Sequence, residues 1–131
     1  MKPKSRRRKL HYNELVSTGP GTLAGRFMRR FWHPVYRAEA LLAGQAKPIE
    51  IMGERFTLYR GEDGKPYVTE FRCPHRGTQL SAGWVEGDSI RCMYHGWLFN
   101  SAGQCIEQPA EAKSFAVKIR IKSFPTREYL G

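Results

Sequence analysis

Two short segments of this 131-residue chain each place a cysteine close to a histidine, and they constrain its fold more than any other feature. The first, Cys73–His75, reads Cys-Pro-His, and the second, Cys92–His95, reads Cys-Met-Tyr-His, with sixteen residues between them. Side chains at positions i and i+2 of an extended backbone point the same way, so Cys73 and His75 can reach two adjacent metal ions from one loop. Cys92 and His95 can do the same from a second loop.

Two thiolates combined with two imidazoles favour a narrow class of metal centre. The best fit is a Rieske cluster, a [2Fe–2S] centre in which two histidines replace two cysteines on one iron. Zinc also accepts sulfur and nitrogen, but zinc-chelating pairs usually keep two or more residues between ligands, so the one-residue gap suits zinc poorly. Two buried cysteines with two unrelated histidines remain the simplest alternative. The candidate metal and cluster-binding residues are Cys73, His75, Cys92 and His95.

Length and cysteine usage restrict the class of protein. A chain of 131 residues is expected to form one domain with a modest core. No run of eighteen apolar residues occurs, so we predict no membrane span. Because two of the three cysteines are candidate ligands, Cys105 has no partner for a disulfide within the chain. This usage fits a reducing, cytoplasmic setting, and Cys105 is interpreted as a small buried hydrophobic residue.

The positive charge is concentrated at the start of the chain. The formal net charge is +10, and six of the positive charges lie within residues 2–9, which leaves +4 for the rest. An export signal would need an apolar stretch directly after them, and none follows. Nucleic-acid binding would need aromatic side chains interleaved with basic ones on a folded surface. We therefore interpret residues 1–17 as a solvated, mobile basic arm and predict no nucleic-acid partner.

After the arm, the sequence predicts one short helix. Thr22 is a plausible N-cap, and Leu23, Phe27 and Phe31 recur every four residues, as one face of a helix requires. Pro34 is expected to end it. Three arginines lie off this apolar face and are expected to be exposed: Arg26, Arg29 and Arg30.

From Val35 onward the pattern is that of β-structure. Strands are predicted over 47–51, 55–60, 66–72, 84–86, 89–92, 97–99 and 104–107, with the first two forming a hairpin closed at Gly53. Apolar and polar residues alternate over 115–122, which predicts a half-buried strand there too. Short strands with frequent turns favour an all-β, antiparallel β-sandwich, with both metal loops at one tip.

The loop sequences resemble a known family. Cys73–Gly77 and Cys92–Trp97 resemble the cluster loops of Rieske non-haem iron oxygenases, and the glycines let backbone approach a cluster closely. Upstream, Thr18–Thr22 and Arg29–Pro34 are similar to the opening of the phthalate dioxygenase-like branch. The resemblance implies that residues 18–131 are the N-terminal Rieske [2Fe–2S] domain of an oxygenase large subunit. It also implies a Rieske-type sandwich with a short N-terminal helix.

The resemblance implies a one-electron relay. A flavin or ferredoxin reductase would be the electron donor, a catalytic oxygenase domain or subunit would be the acceptor, and a homo-oligomer would be in keeping with the family. Family members activate oxygen at a mononuclear iron held by two histidines and a carboxylate in a second domain. Apart from the candidate ligands, the chain has only His11 and His33. We therefore expect no catalytic iron site in this chain, which would be an isolated Rieske domain.

A stand-alone Rieske-type ferredoxin is the main alternative. The length suits such a carrier, but small Rieske ferredoxins usually begin directly with the β domain, so the segment 18–34 favours the oxygenase. A zinc-stabilised binding module is a third class and would require that iron be absent. Respiratory Rieske proteins carry hydroxyl donors beside the cluster, whereas this chain continues Gly96-Trp97-Leu98. A reduction potential of roughly −150 mV rather than +300 mV is therefore predicted.

Overall fold

The structure is a computed structural model that describes residues 8–131. Residues 1–7, which belong to the predicted basic arm, lie outside the described residues. Within the rest of that arm the chain forms a short helix, α1, over Tyr12–Val16, which the sequence analysis does not predict. The Glu14 carboxylate accepts a hydrogen bond from the His11 N–H at 2.9 Å, at the start of this helix.

The chain divides into two compact units, and α1 belongs to the first. Of the described residues, the first unit comprises 8–34 together with Met52–Glu54. The second comprises Val35–Ile51 and Arg55–Gly131, and it holds both cysteine–histidine loops. None of the helices in residues 8–131 has the length and hydropathy of a membrane span.

Helix α2 spans Leu23–Met28, and Thr22 caps its N-terminus as predicted. The Thr22 hydroxyl oxygen accepts a hydrogen bond from the Gly25 N–H at 3.0 Å, which satisfies one donor of the first turn. The helix ends well before Pro34. Its last turn tightens, because the N–H groups of residues 30 and 31 bond to carbonyls three residues back, at 3.1 and 3.2 Å.

Arg29 is not free in solvent, so the expectation of an exposed side chain is wrong for this residue. Its guanidinium forms an ion pair with Glu54 at 2.7 Å and donates to the carbonyls of Thr18 at 2.8 Å and Met52 at 3.3 Å. Only 27% of the side chain is exposed. A guanidinium carries five donors in a rigid fork. Here the fork connects the end of α2 to the segments around Thr18 and Met52, contacts that the spacing of residues along the helix does not predict.

Two four-stranded sheets contain all the strands of the described residues. The first has the order β1-β2-β3-β8 and the second has the order β4-β5-β6-β7, with antiparallel pairing between neighbours. Eight strands are present: β1 Ala46–Ile51, β2 Glu54–Arg60, β3 Pro66–Glu70, β4 Trp84–Glu86, β5 Ser89–Arg91, β6 Leu98–Phe99, β7 Cys105–Glu107 and β8 Ser123–Phe124. The predicted all-β fold and the predicted strands from residues 47 to 107 are confirmed, with shifts of one or two residues at their ends.

The predicted hairpin turn at Gly53 is also confirmed. Met52 and Gly53 have φ values of 48° and 77°, so both central residues lie in the left-handed region. Two such residues match the twist of the flanking strands in a two-residue hairpin loop, and glycine adopts this conformation without steric cost. Methionine at the first position does so only with strain.

One hydrophobic core includes side chains from both sheets and from the two loops. Tyr59 of β2, Ile90 of β5 and Phe99 of β6 are fully buried, and Cys73 and Cys92 lie in the same cluster. Burying such large side chains stabilises the fold by about 1.5–3 kcal/mol each. The loops that carry the predicted ligands are therefore anchored in the core that joins the sheets.

The strand predicted over 115–122 is wrong. Ala116–Lys118 forms a 3-10 helix, and Val117, expected to face the core, is 85% exposed while Ala116 is buried. Residues 119–121 pair only briefly with the backbone of residues 103–105, through a single bridge between Gln104 and Arg120. Before them, side chains take hydrogen-bonding groups that a neighbouring strand would have used. The Gln108 side-chain oxygen accepts from the Phe115 N–H at 2.7 Å, and the Gln104 amide donates to the Ala116 carbonyl at 3.0 Å. The chain joins the first sheet only at β8.

Arg60 contacts three segments around the first sheet: the turn before β1, the turn between β2 and β3, and the end of the chain. Its side chain is 11% exposed, and its guanidinium donates to the carbonyls of Leu41, Ala38 and Gly64 at 2.6, 2.8 and 2.7 Å. It also pairs with the Glu128 carboxylate at 2.8 Å, near the end of the chain. One charged side chain therefore satisfies three carbonyls from two connections and pairs with a carboxylate near the end of the chain.

We expect Arg60→Ala to lower the free energy of unfolding by about 2–3 kcal/mol, because three carbonyls lose a charged donor. Glu128→Gln removes only the half-exposed carboxylate, which solvent screens, and should have a much smaller effect. Urea unfolding followed by far-UV circular dichroism measures both. Equal losses from the two substitutions would contradict the role assigned to the Arg60–carbonyl bonds.

Candidate metal centre

The four predicted ligands lie on two loops of equal length. The first loop, Cys73–Thr78, is closed by a bridge between Arg72 and Gln79. The second loop, Cys92–Trp97, is closed by the pairing of Arg91 with Leu98, where β5 meets β6. Both loops therefore start one residue after an arginine and end one residue before the arginine's cross-strand partner.

The backbone hydrogen bonds of the two loops follow the same pattern. In the first loop, the Cys73 N–H donates to the Thr78 carbonyl at 2.8 Å and the Gly77 N–H donates to the Cys73 carbonyl at 2.9 Å. The equivalent bonds of the second loop are Cys92 to Trp97 at 2.9 Å and Gly96 to Cys92 at 3.1 Å. The backbone of both cysteines is thus fixed by the closure of its own loop.

A glycine in the left-handed region completes each loop, with φ of 77° at Gly77 and 75° at Gly96. Other residues adopt this conformation only with strain. At Gly96 a side chain would in addition meet the Pro109 ring, because an ideal Cβ would lie 2.9 Å from the proline Cγ. Both requirements explain why a glycine follows the second histidine.

The histidines occupy different positions in these equivalent loops, and their rings meet. His75 is two residues after its cysteine, whereas His95 is three residues after its own. The two ring centroids lie 4.5 Å apart in an edge-to-face arrangement, with 67° between the planes. The fold thus brings together two histidines that are twenty positions apart in the sequence.

The two loop cysteines lie in the core, and each is 2% exposed. Burial raises the pKa of the Cys73 thiol to about 12, and the adjacent Cys92 sulfur adds to the rise. The backbone N–H of His75 donates to the Cys73 sulfur and lowers the pKa of this thiol. A thiol in this environment stays protonated at neutral pH unless a metal takes the place of the proton.

One ring nitrogen of His75 lacks a hydrogen-bond partner. Its Nδ1 is buried and unsatisfied, whereas its Nε2 lies 3.8 Å from a carboxylate oxygen of Glu111. The ring stacks on the buried indole of Trp97, with centroids 4.4 Å apart and planes 8° from parallel. An unsatisfied buried nitrogen costs about 1–3 kcal/mol, and coordination to a metal would satisfy it.

These observations fit a Rieske-type cluster. Two buried thiols and two adjoining imidazoles are the donor set that such a centre requires, and it takes two protein ligands at each iron. In the described residues 8–131, no three Cys, His, Asp or Glu side chains are grouped to hold a single metal ion. The buried Nδ1 of His75 has no hydrogen-bond partner and is therefore available to coordinate a metal together with the two thiols and the His95 ring.

Cys105, His11 and His33 lie outside the two ligand loops, and Cys105 belongs to the same core cluster as Cys73 and Cys92. Cys105 is buried in the core, as predicted, and its sulfur lies 3.5 Å from the Glu107 carbonyl. A ring nitrogen of His33 lies 2.7 Å from the Met28 carbonyl at the end of α2. Glu111, which approaches His75, is not found by sequence reasoning, because nothing in its local sequence distinguishes it from other surface acids.

Comparison with known proteins identifies the family. The family described as Rieske [2Fe-2S] domain matches residues 31–125. The chain therefore belongs to the Rieske [2Fe–2S] domain family, whose cofactor is a Rieske-type [2Fe–2S] cluster.

The relatives are oxygenase subunits, which confirms the resemblance to Rieske oxygenases. The chain is 38% identical over 124 residues to the 5,5'-dehydrodivanillate O-demethylase oxygenase subunit of Sphingobium sp. (strain NBRC 103272 / SYK-6), covering 91% of this chain and 29% of the relative. It is 36% identical over 122 residues to the 3-chlorobenzoate-3,4-dioxygenase oxygenase subunit of Comamonas testosteroni, covering 90% and 28%. The chain thus spans less than a third of the length of these relatives.

Solved structures of Rieske oxygenases share the fold. The NdmA QL mutant of Pseudomonas putida CBB5 with theobromine superposes with a TM-score of 0.73 at 28% identity, covering 81% of this chain and 33% of that one. The oxygenase in its reduced complex with ferredoxin, from carbazole 1,9a-dioxygenase, gives 0.66 at 30% identity, covering 74% and 26%.

We expect Cys73→Ala and Cys92→Ala each to abolish the binding of iron and acid-labile sulfide, because each removes one thiolate from the predicted ligand set. Cys105→Ala is the matched control, since this cysteine is equally buried but lies outside both loops. Likewise, His75→Ala and His95→Ala should each remove the Rieske-type EPR signal of the reduced protein. His33→Ala is the control and should retain that signal. Iron and sulfide per chain are measured on protein whose circular dichroism shows it to be folded. Full iron content in a folded Cys73→Ala protein would exclude Cys73 as a ligand.

Proposed function

We propose that this chain is the electron-relay domain of a Rieske oxygenase, with Cys73, His75, Cys92 and His95 as the cluster ligands. It would receive single electrons from a reductase or ferredoxin and pass them to a mononuclear iron site in another domain or subunit. The observation that carries the proposal is the convergence of two equivalent loops on one pair of buried thiols and one pair of touching imidazoles. When bound, the cluster would supply reversible one-electron chemistry.

The side chains of the site divide it into an inner and an outer part. The two cysteines are almost fully buried in the core, so solvent does not reach their sulfur atoms. His75 keeps 22% of its side chain exposed, and its Nε2 faces the Glu111 carboxylate near the surface. The histidine side is therefore the one through which an electron would enter or leave, because it lies closest to any docked partner.

The surface of the two loops suits a docking partner. Pro74 and Arg76 of the first loop are exposed, as are Met93 and Tyr94 of the second. The Tyr94 ring also contacts the His95 ring, with centroids 3.8 Å apart. A ferredoxin is a reasonable donor because one of the similar structures is a complex of an oxygenase with a ferredoxin.

The extent of the sequence similarity supports an oxygenase rather than a stand-alone ferredoxin. The match to the demethylase oxygenase subunit covers 91% of the chain, so it includes most of the residues that precede β1. Small Rieske ferredoxins usually begin directly with the β domain. The described part of this segment forms α1 and α2 and includes the capped turn at Thr22.

We expect the cluster-loaded protein to accept one electron per chain, with a midpoint potential below 0 mV and near the low end of the range of about −150 to +300 mV. The reason is that Gly96, Trp97 and Leu98 follow the second histidine and present no hydroxyl to hydrogen-bond a cluster sulfur. A redox titration followed by EPR of the reduced state measures it. A midpoint above zero would contradict the assignment to oxygenases, and a folded protein that takes up no iron would exclude the relay altogether.

A further inference from the structure

An arginine directly precedes the cysteine of each loop, and both arginines make the same hydrogen bond. Arg72 Nη1 donates to the Gly77 carbonyl at 2.7 Å, and Arg91 Nη1 donates to the Gly96 carbonyl at 2.7 Å. We propose that Arg72 and Arg91 are positioning residues, each of which holds its loop closed so that the cysteine and histidine face the cluster. This inference rests on the proposed function, because it assigns the loops the task of presenting ligands.

The bonded carbonyl belongs to a glycine that also takes part in closing the loop. The Gly96 N–H already donates to the Cys92 carbonyl, so the arginine fixes the same glycine from its other side. Gly77 is held in the same two ways by Cys73 and Arg72. Glycine has more backbone freedom than any other residue, and a charged donor on its carbonyl reduces that freedom in the folded state.

The arginine of the second loop is itself held firmly. Arg91 forms a bidentate pair with Glu86 at 2.5 and 2.6 Å and a further ion pair with Glu107 at 2.8 Å. Glu86 lies on β4 and Glu107 on β7, so carboxylates from two strands of the second sheet fix the guanidinium. Only 14% of the Arg91 side chain is exposed. The bond from Arg91 lowers the pKa of the Glu86 carboxyl below its ordinary value.

Among residues 8–131, no carboxylate supports the arginine of the first loop in a comparable way. Arg72 is exposed, and its guanidinium also lies over the ring of the neighbouring Phe71, 5.4 Å from the centroid. The arginine of the second loop is therefore restrained by more contacts than the arginine of the first. It follows that loss of Arg91 should loosen the centre more than loss of Arg72, although the two carbonyl bonds have the same length.

The test compares the cluster-loaded full chain with its Arg91→Gln and Arg72→Gln variants. Arg120→Gln is the control, because the Arg120 side chain donates to the Gln104 side chain and to neither ligand loop among residues 8–131. We expect Arg91→Gln to speed amide hydrogen exchange at Gly96 by at least about tenfold and to leave Gly77 unchanged. Arg72→Gln should act at Gly77 by a smaller factor. The half-life of iron in the presence of a chelator should fall most for Arg91→Gln and stay unchanged in the control.

A spectroscopic signature separates positioning from general stability. Because Gly96 directly follows His95, Arg91→Gln should shift the EPR g-values of the reduced cluster, whereas Arg120→Gln should not. Arg91→Lys should restore part of the exchange protection, since an ammonium group can still donate to the Gly96 carbonyl but cannot pair with Glu86 in bidentate fashion. Glu107→Gln, at an exposed position, tests the same restraint if Arg91→Gln does not fold, and should speed exchange at Gly96 by a smaller factor.

The possible failures are distinguishable. A folded wild-type protein that takes up no iron would overturn the proposed function and this inference with it. Wild-type iron content combined with unchanged Gly96 exchange, iron half-life and g-values in Arg91→Gln, or in Glu107→Gln where that variant replaces it, would overturn only the positioning role of the arginines.

Discussion

The core that joins the two sheets also holds the thiols of Cys73 and Cys92, and the metal centre depends on this placement. Both cysteines pack in one cluster with Tyr59, Ile90 and Phe99, which come from strands of both sheets. Their separation is thus set by the packing of the whole domain, and a core change of even one methylene is felt in such a dense interior. Burial also raises the pKa of the Cys73 thiol, which keeps it protonated at neutral pH unless a metal replaces the proton.

The two ligand loops share the same backbone arrangement and differ in the position of the histidine. Both loops have the same length, the same closing hydrogen bonds and a glycine with φ near 75°. Only the histidine differs, since His95 lies one residue further from its cysteine than His75 does. Two rings projecting from different positions of similar backbones can meet edge to face, and the buried Trp97 ring supports one of them by stacking. Paired imidazoles therefore arise from nearly equivalent loops.

Features governed by local backbone chemistry were predictable. The Thr22 cap, the turn at Gly53 and most strands follow from side chains acting within a few residues. The four candidate ligands could also be selected from the sequence, and the fold brings them together, although their coordination of a cluster stays a prediction. The strand expected over 115–122 is interrupted at its start, where side chains of Gln104 and Gln108 bond the backbone of Ala116 and Phe115. Alternating hydrophobicity carries no information about such remote partners.

The candidate donor set, its spacing and the glycines that close the loops could be selected from the amino-acid sequence, because these depend on residue chemistry and on short stretches of backbone. The side chains that support the loops are set by the packing of the folded chain. Arg91 meets Glu86 and Glu107 because β4, β5 and β7 lie in one sheet, and His75 meets Glu111 through the path of the chain after β7. The Arg91–Glu107 and His75–Glu111 contacts join segments far apart in sequence, and those segments meet only once the chain has folded.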